Sequence, residues 1–453
     1  MTKQPHSDIQ HLYTRATFGL HPKFFSNKIN KNPTQLFEEL LEESKEYSDL
    51  KHFEDIRIKG KDIGGFKILK MILKSRKELQ ELNLAWLDKM HVSRAQLREK
   101  MTLFWHHHFA TSAPFPVLMQ EQNNMFRKNA MGNFKDLLLE VARDPAMIIY
   151  LNNQQNKKNA PNENFARELM ELFTLGRGHY SENDIKESAR AFTGWHIGLD
   201  GYFAFDKKSH DDGEKTFFNQ TGNWNGDDII RMILEKRQTA RFICQKLYKF
   251  FVSPKVNEAF VEKMTDEFFT SNYDITRLIR FLFTSEEFYL SHNRGALIKS
   301  PVELIVEYKR FFSLEMNKDQ NMIKLQRALG QVLFLPPNVA GWPGDRSWID
   351  STSLLVRMNL PYVFAGIHEY DPQEKALPES ALIEQKGPKP FLSKMNISSW
   401  NELASSSKNP KAKTLFDYLI IHPHMVPPIA MSEKNNTEEL LRAILSLPEF
   451  QLH

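Results

Sequence analysis

The chain has 453 residues and a mass of 53.0 kDa, of which 41% are apolar and 26% charged; that is enough to bury large cores, with no bias toward a disordered tail. Sixty Lys+Arg against 56 Asp+Glu leave +4, an excess too small and too dispersed for a nucleic-acid partner. Mean hydropathy is −0.48, and no apolar run approaches the roughly 20 residues that a membrane-spanning helix needs.

Length alone suggests about three domain-sized units or fewer. The opening Met1–Asp8 has no apolar core and no small-residue cleavage site, which reads as no secretory signal and places the chain in the cytoplasm. Cys244 is the single cysteine, so an intrachain disulfide, a cysteine zinc site and an iron–sulfur cluster are excluded. Stability must come from packing, for which 34 Phe and 12% aromatic residues are ample.

The periodicity is helical nearly throughout. Ser93 and Gln96 have capping-box spacing before a stripe of Leu97, Met101, Phe104 and His108, and Ser112-Ala113-Pro114 stops that helix. A second helix is expected from Glu163 to Leu175, with Gly176 as its left-handed cap. A third follows Ser181–Asp184 and closes at Gly194. The aromatic stretches Gly201–Phe205 and Lys215–Phe218 flank a turn-rich Ser209–Gly213 and predict a hairpin-like insertion at about 200–220. Helices are further expected over Leu278–Phe288, Pro301–Phe312 and Met322–Leu333, with a fixed loop from Leu335 to Gly344.

From about Gly366 to Pro390 the composition turns to Pro, Glu, Lys and Ser, which reads as a surface excursion or linker. The expected organisation is a helical core over 1–365, a variable surface segment over 366–430, and a closing helix in 431–453, Thr437 to Leu447, that packs back on the core. Arg280–Phe288 aligns without gaps to Arg442–Phe450; a shared helix-ending device, with Phe tucked in, explains this better than a repeat. The fold class is mainly α: one large multi-helical domain with a small β-hairpin insertion.

Four clusters carry candidate chemistry. Imidazoles make His106 and His108 candidate metal ligands, although alternate residues of a helix point in different directions, and a core histidine satisfied by a carbonyl is the simpler reading of His108. Glu168 and Glu171, three apart, have the spacing of oxygen ligands on one helix face; the alternative is a structural network in which Arg167, four residues before Glu171, neutralises one of the two carboxylates. His210-Asp211 in a tight loop suits a metal or an acid-oriented general base, but Asp-Asp-Gly is also ordinary turn chemistry. Trp342 and Trp348 on a Pro/Gly loop form either a stacking platform for sugars or two anchors onto the core.

Taken in order, His11–Gly19, Met101–Phe109, Arg143–Met147, Asn162–Gly176, Ala191–Trp195, His210-Asp211 with Gly213 and Lys215, Lys299–Leu304, Pro336–Pro343 and Pro448–Gln451 resemble a bacterial family catalogued as domain of unknown function eighteen-hundred, over nearly the whole chain. The resemblance implies a helical protein, a location often outside the cell, and a neighbouring sulfatase-like protein as partner. Within the family pattern His106 and His108 match and His107 stands where Asn is usual. Asn152 replaces a usual Asp, and Lys236-Arg237-Gln238 replaces a His-Pro step, which argues against a site at either place.

The leading expectation is a metal-dependent enzyme, hydrolytic or oxidative, acting on a polymer or its fragments. His106, His108, Glu168 and Glu171 would bind a divalent metal ion of unspecified identity; Arg167, His210 and Asp211 would serve catalysis, and Trp342 and Trp348 would wall the cleft. The runner-up is a non-catalytic binding or assembly protein that recognises a small molecule, a polysaccharide or a partner protein through the tryptophan loop.

Overall fold

Helix starts in this chain are set by short polar side chains that accept the orphan N–H groups of a first turn. Asn32 with Gln35, Ser181 with Asp184, Asn225 with Asp228, Ser300 with Glu303, Asp350 with Ser353 and Asn436 with Glu439 each close a reciprocal capping box. A computed structural model describes residues 5–53, 65–198, 200–316, 320–367, 393–407, 409–421 and 436–453. They form a mainly α-helical fold, to which three two-stranded antiparallel sheets are added.

The helix expected over Pro301–Phe312 stands with those ends, and others stand with shifted ends: Gln96–His108, Ile275–Phe283, Gln320–Leu329 and Thr437–Leu445. The start at Ser93 differs from expectation. Ala95 is the cap residue, Ser93 Oγ accepts from the Ala95 N–H at 3.1 Å, and the Gln96 amide reaches back to the Ser93 and Met90 carbonyls, so no reciprocal box forms. The insertion is two hairpins rather than one. Phe203–Phe205 pairs with Trp195–Ile197, and Lys215–Phe217 pairs with Gln220–Gly222, because each aromatic stretch finds its partner on its far side instead of across the Ser209–Gly213 loop.

The core is aromatic. Trp105 stacks on Phe109 and Phe134, Phe104 meets Phe250 edge-on, and Phe288 and Phe450 are both buried at the ends of their matching helices. Of the stretch expected as a surface excursion, residues 368–392 lie outside the described set. The helices Ser398–Ser406 and Lys411–Leu419, which follow it, turn inward: Trp400 donates to the Phe311 carbonyl at 3.0 Å, and Tyr418 bonds the Leu20 carbonyl, so both residues belong to the core. No described helix is long and apolar enough to cross a membrane.

Candidate functional site: a carboxylate pair on a π-helix

The run Asn162–Gly176 begins as an α-helix over Asn164–Glu168 and widens into a π-helix over Leu169–Thr174. The widening has a visible cause at its end. Thr174 Oγ1 takes the Leu169 carbonyl at 2.6 Å, while the N–H groups of Leu175 and Gly176 both go to the Met170 carbonyl, and Gly176 adopts φ +81° to close the turn as expected. Single π-turns inside helices recur at functional sites.

The two carboxylates have different surroundings. Glu171 accepts from Arg177 Nε at 2.6 Å and from the Tyr180 hydroxyl at 2.9 Å; these bonds outweigh burial and hold its carboxyl below the usual range. Glu168 is half-buried and has no hydrogen-bond or ion-pair partner among the described residues. Burial, and after it the charge of Glu171, push its carboxyl above the usual range. Asn164 ties the start of this helix to the Leu151 carbonyl at 3.1 Å, close to Tyr150, whose hydroxyl feels the Glu168 charge. Arg167 is turned away from the pair, held by Glu182 through two bonds of 3.0 and 2.9 Å and by Glu163 at 3.1 Å. The neutralising role foreseen for Arg167 therefore falls mainly to Arg177.

The histidines do not join this pair. His106 Nε2 accepts the Phe334 N–H at 3.1 Å, and its ring lies edge-on to Trp86. His108 donates from Nε2 to the Phe173 carbonyl at 3.0 Å, an acceptor that the end of the π-helix leaves free. Both rings are buried, at 1% and 6% exposure, and burial lowers each to a pKa of about 3, so they are neutral. Among the described residues no group of three or more His, Cys, Asp or Glu side chains is arranged to hold a metal ion. The expected common centre of His106, His108, Glu168 and Glu171 is not assembled, because both Nε2 atoms are committed to backbone partners and Glu171 to Arg177.

His210 and Asp211 are likewise tied locally. His210 Nδ1 donates to the Thr193 carbonyl at 2.9 Å, and Asp211 receives Arg190 through two bonds of 2.7 and 3.3 Å. The Thr193 hydroxyl takes the Asp211 N–H at 2.8 Å, and Asp211 Oδ1 accepts the Gly213 N–H at 2.9 Å, as an Asx turn requires. This loop pins the hairpins to the helix Glu182–Ala191. Trp342 and Trp348 are 4% and 5% exposed; Trp342, in the Leu335–Gly344 loop, packs against His106 and His107, and Trp348 closes the short helix Asp345–Trp348 that follows. Asn152, where the family pattern has Asp, takes φ +56°, a left-handed conformation that Asn tolerates well.

Two further features escaped the sequence reading. A cleft of about 580 Å³ lies between the helices Phe134–Ala142 and Gly226–Leu234, floored by Leu139, Ile230, Leu234 and Phe269; on its rim Arg143 meets both oxygens of Asp227 at 2.6 Å. Deeper, the buried ion pair Lys100–Glu303, 2.5 Å, joins the helix Gln96–His108 to Pro301–Phe312, and Lys299–Glu307, also 2.5 Å, ties the segment before the second helix to its middle. The Lys100 ammonium and the Ser300 N–H overcome burial and hold Glu303 down to about 2. The Ser300/Glu303 capping box was readable, yet nothing local announced that Glu303 is buried against a lysine far away in the chain.

No curated protein and no solved structure matches this chain. Residues 11–452 match the profile of DUF1800, a family described as proteins of unknown function, and the chain belongs to that family.

Proposed function

We propose that the protein is a hydrolytic enzyme acting on a polymer or its fragments, with Glu168 as the proton-donating acid and Glu171 as the ionised base. The observation that carries this reading is the opposite displacement of the two carboxyls three residues apart. Neighbouring carboxyls whose environments drive them apart are how a single site runs acid and base chemistry together. Glu168 gives its proton to the leaving oxygen or nitrogen, and Glu171 takes one from the attacking water. Tyr150 and Tyr180 flank the two carboxyls and supply hydroxyl contacts for a polar substrate.

The test compares wild type with Glu168→Gln on a panel of polysaccharides and peptides, reading new reducing ends and new amines. Removing a general acid is expected to lower the rate by about 10²–10⁴-fold. Full activity in the variant would refute the assignment. Metal content of the same two preparations decides whether the pair instead serves as ligands: stoichiometric metal present in wild type and lost in the variant would restore the metal-dependent version.

A second reading, a non-catalytic binding or assembly protein, is favoured by the 580 Å³ cleft, whose apolar floor and charged rim have the make-up of a ligand site. If no substrate turns over, Arg143→Ala tested for loss of binding to soluble oligosaccharides, or to a sulfatase-like partner, examines that reading.

A further inference from the structure

A second cleft, of about 430 Å³, lies beside the tryptophan loop, lined by Pro254, Lys255, Ala296, Ile298, Asp345, Arg346 and Leu452. Its floor is the antiparallel bridge between Ile298 and Leu452, extended by Lys299 N–H to the Gln451 carbonyl at 2.9 Å and His453 N–H to the Leu297 carbonyl at 2.9 Å. Lys255 and Arg346 stand exposed on the rim, and the side chain of neither has a hydrogen-bond or ion-pair partner among the described residues. Asp345 is the one carboxylate among the lining residues, so cations outnumber anions at the mouth.

The ground beneath is also cationic. Lys299, next to Ile298, belongs to a buried centre with Lys100, Arg15 and Arg357, faced by the carboxylate side chains of Glu303 and Glu307. Arg15 and Arg357 are 0% exposed and bond carbonyls rather than carboxylates: Arg15 to Asn293 at 2.8 Å, Arg357 to Lys299 at 2.9 Å. Nε of both and Nη2 of Arg357 are buried without a partner. Four buried cations against two carboxylate side chains project a positive field that water screens poorly, and clefts focus such a field.

We propose that this cleft binds an oxyanion, a sulfate, phosphate or carboxylate group, held by Lys255 and Arg346 and favoured by the buried cations below. This inference is independent of the carboxylate pair. The test is calorimetric titration of the full chain at low ionic strength with inorganic sulfate, inorganic phosphate and acetate, each compared with chloride at matched ionic strength. Wild type is expected to show saturable binding of at least one oxyanion beyond the chloride response, and the three salts distinguish the group preferred. Lys255→Ala/Arg346→Ala, both on exposed side chains, is expected to weaken it at least tenfold with an unchanged melting temperature. A response equal to that of chloride, or equal binding by the double variant, would overturn the proposal.

Discussion

Glu168 and Glu171 stand three positions apart, and their carboxyls are displaced in opposite directions: Arg177 at 2.6 Å and Tyr180 at 2.9 Å hold Glu171 down, while burial and the charge of Glu171 raise Glu168. One helical run, passing into the π-helix Leu169–Thr174, thus carries a carboxylate with two partners and, three residues before it, one with none among the described residues.

Glu168 makes its own contribution to the pH dependence of stability. Its folded pKa lies above the unfolded one, so its stabilising contribution is full below the ordinary carboxylate range and lost as pH rises through the raised value. Glu168→Gln is therefore expected to be at least as stable as wild type at neutral pH and to lose that advantage in acid. Urea denaturation at the two pH values reads this, and a variant less stable than wild type at neutral pH contradicts it.

The buried histidines act in the opposite sense. His106 and His108 fall to about 3 on folding because burial penalises the charged ring, so the unfolded chain binds more protons below the ordinary value of 6.5. Their contribution is full above 6.5 and lost as pH falls toward 3. His108→Ala also leaves the Phe173 carbonyl without its donor and opens a cavity, a cost of about 2–4 kcal/mol at neutral pH that narrows in acid. Denaturation midpoints from neutral pH down to about 4 measure it.

Asp144 caps the helix Pro145–Tyr150, accepting from the Met147 N–H at 2.9 Å and from Gln122 at 2.7 Å, yet burial pushes its carboxyl up to about 7. The contribution is full below the ordinary 3.8 and disappears as pH rises through about 7. Asp144→Asn keeps an accepting oxygen at the cap and removes the titration. The variant should flatten the fall in stability between pH 4 and 7, as denaturation across that window will show.

Breaking the Lys100–Glu303 pair is expected to be severe. Glu303→Gln leaves the Lys100 ammonium buried without its counter-charge, at a cost of about 3–5 kcal/mol, whereas Lys100→Met/Glu303→Leu removes both charges and recovers most of it. Melting temperatures of the two variants against wild type decide the matter. Trp342→Ala, at a 4% exposed anchor, should cost about 3–5 kcal/mol as well, and an equally stable variant would return the tryptophan loop to the role of ligand platform.

What the sequence disclosed was local. Ser181/Asp184 and Ser300/Glu303 announce their helices because a cap and its partner lie within one turn, and the Phe of the matching Arg280–Phe288 and Arg442–Phe450 segments is buried as the apolar pattern implies. The cluster Asn162–Gly176 was legible as a candidate by its residue types, but its π-turn was not, since Thr174 reaching the Leu169 carbonyl leaves no periodic trace. Residues adjacent in type proved separate in space. His106 and His108 spend their Nε2 atoms on Phe334 and Phe173, contacts made between distant segments. Lys100 and Glu303 meet for the same reason, and no window of sequence contains both.

The most direct test of the acid–base pair needs no substrate: following the side-chain carboxyl resonances of Glu168 and Glu171 by NMR through the acid range, with Glu168→Gln and Glu171→Gln as assignments. Glu168 titrating above the ordinary carboxylate range with Glu171 below it, and Glu168 falling when Glu171 is replaced, is the predicted result. Two carboxyls titrating together in the ordinary range, or in the reverse order, would contradict it.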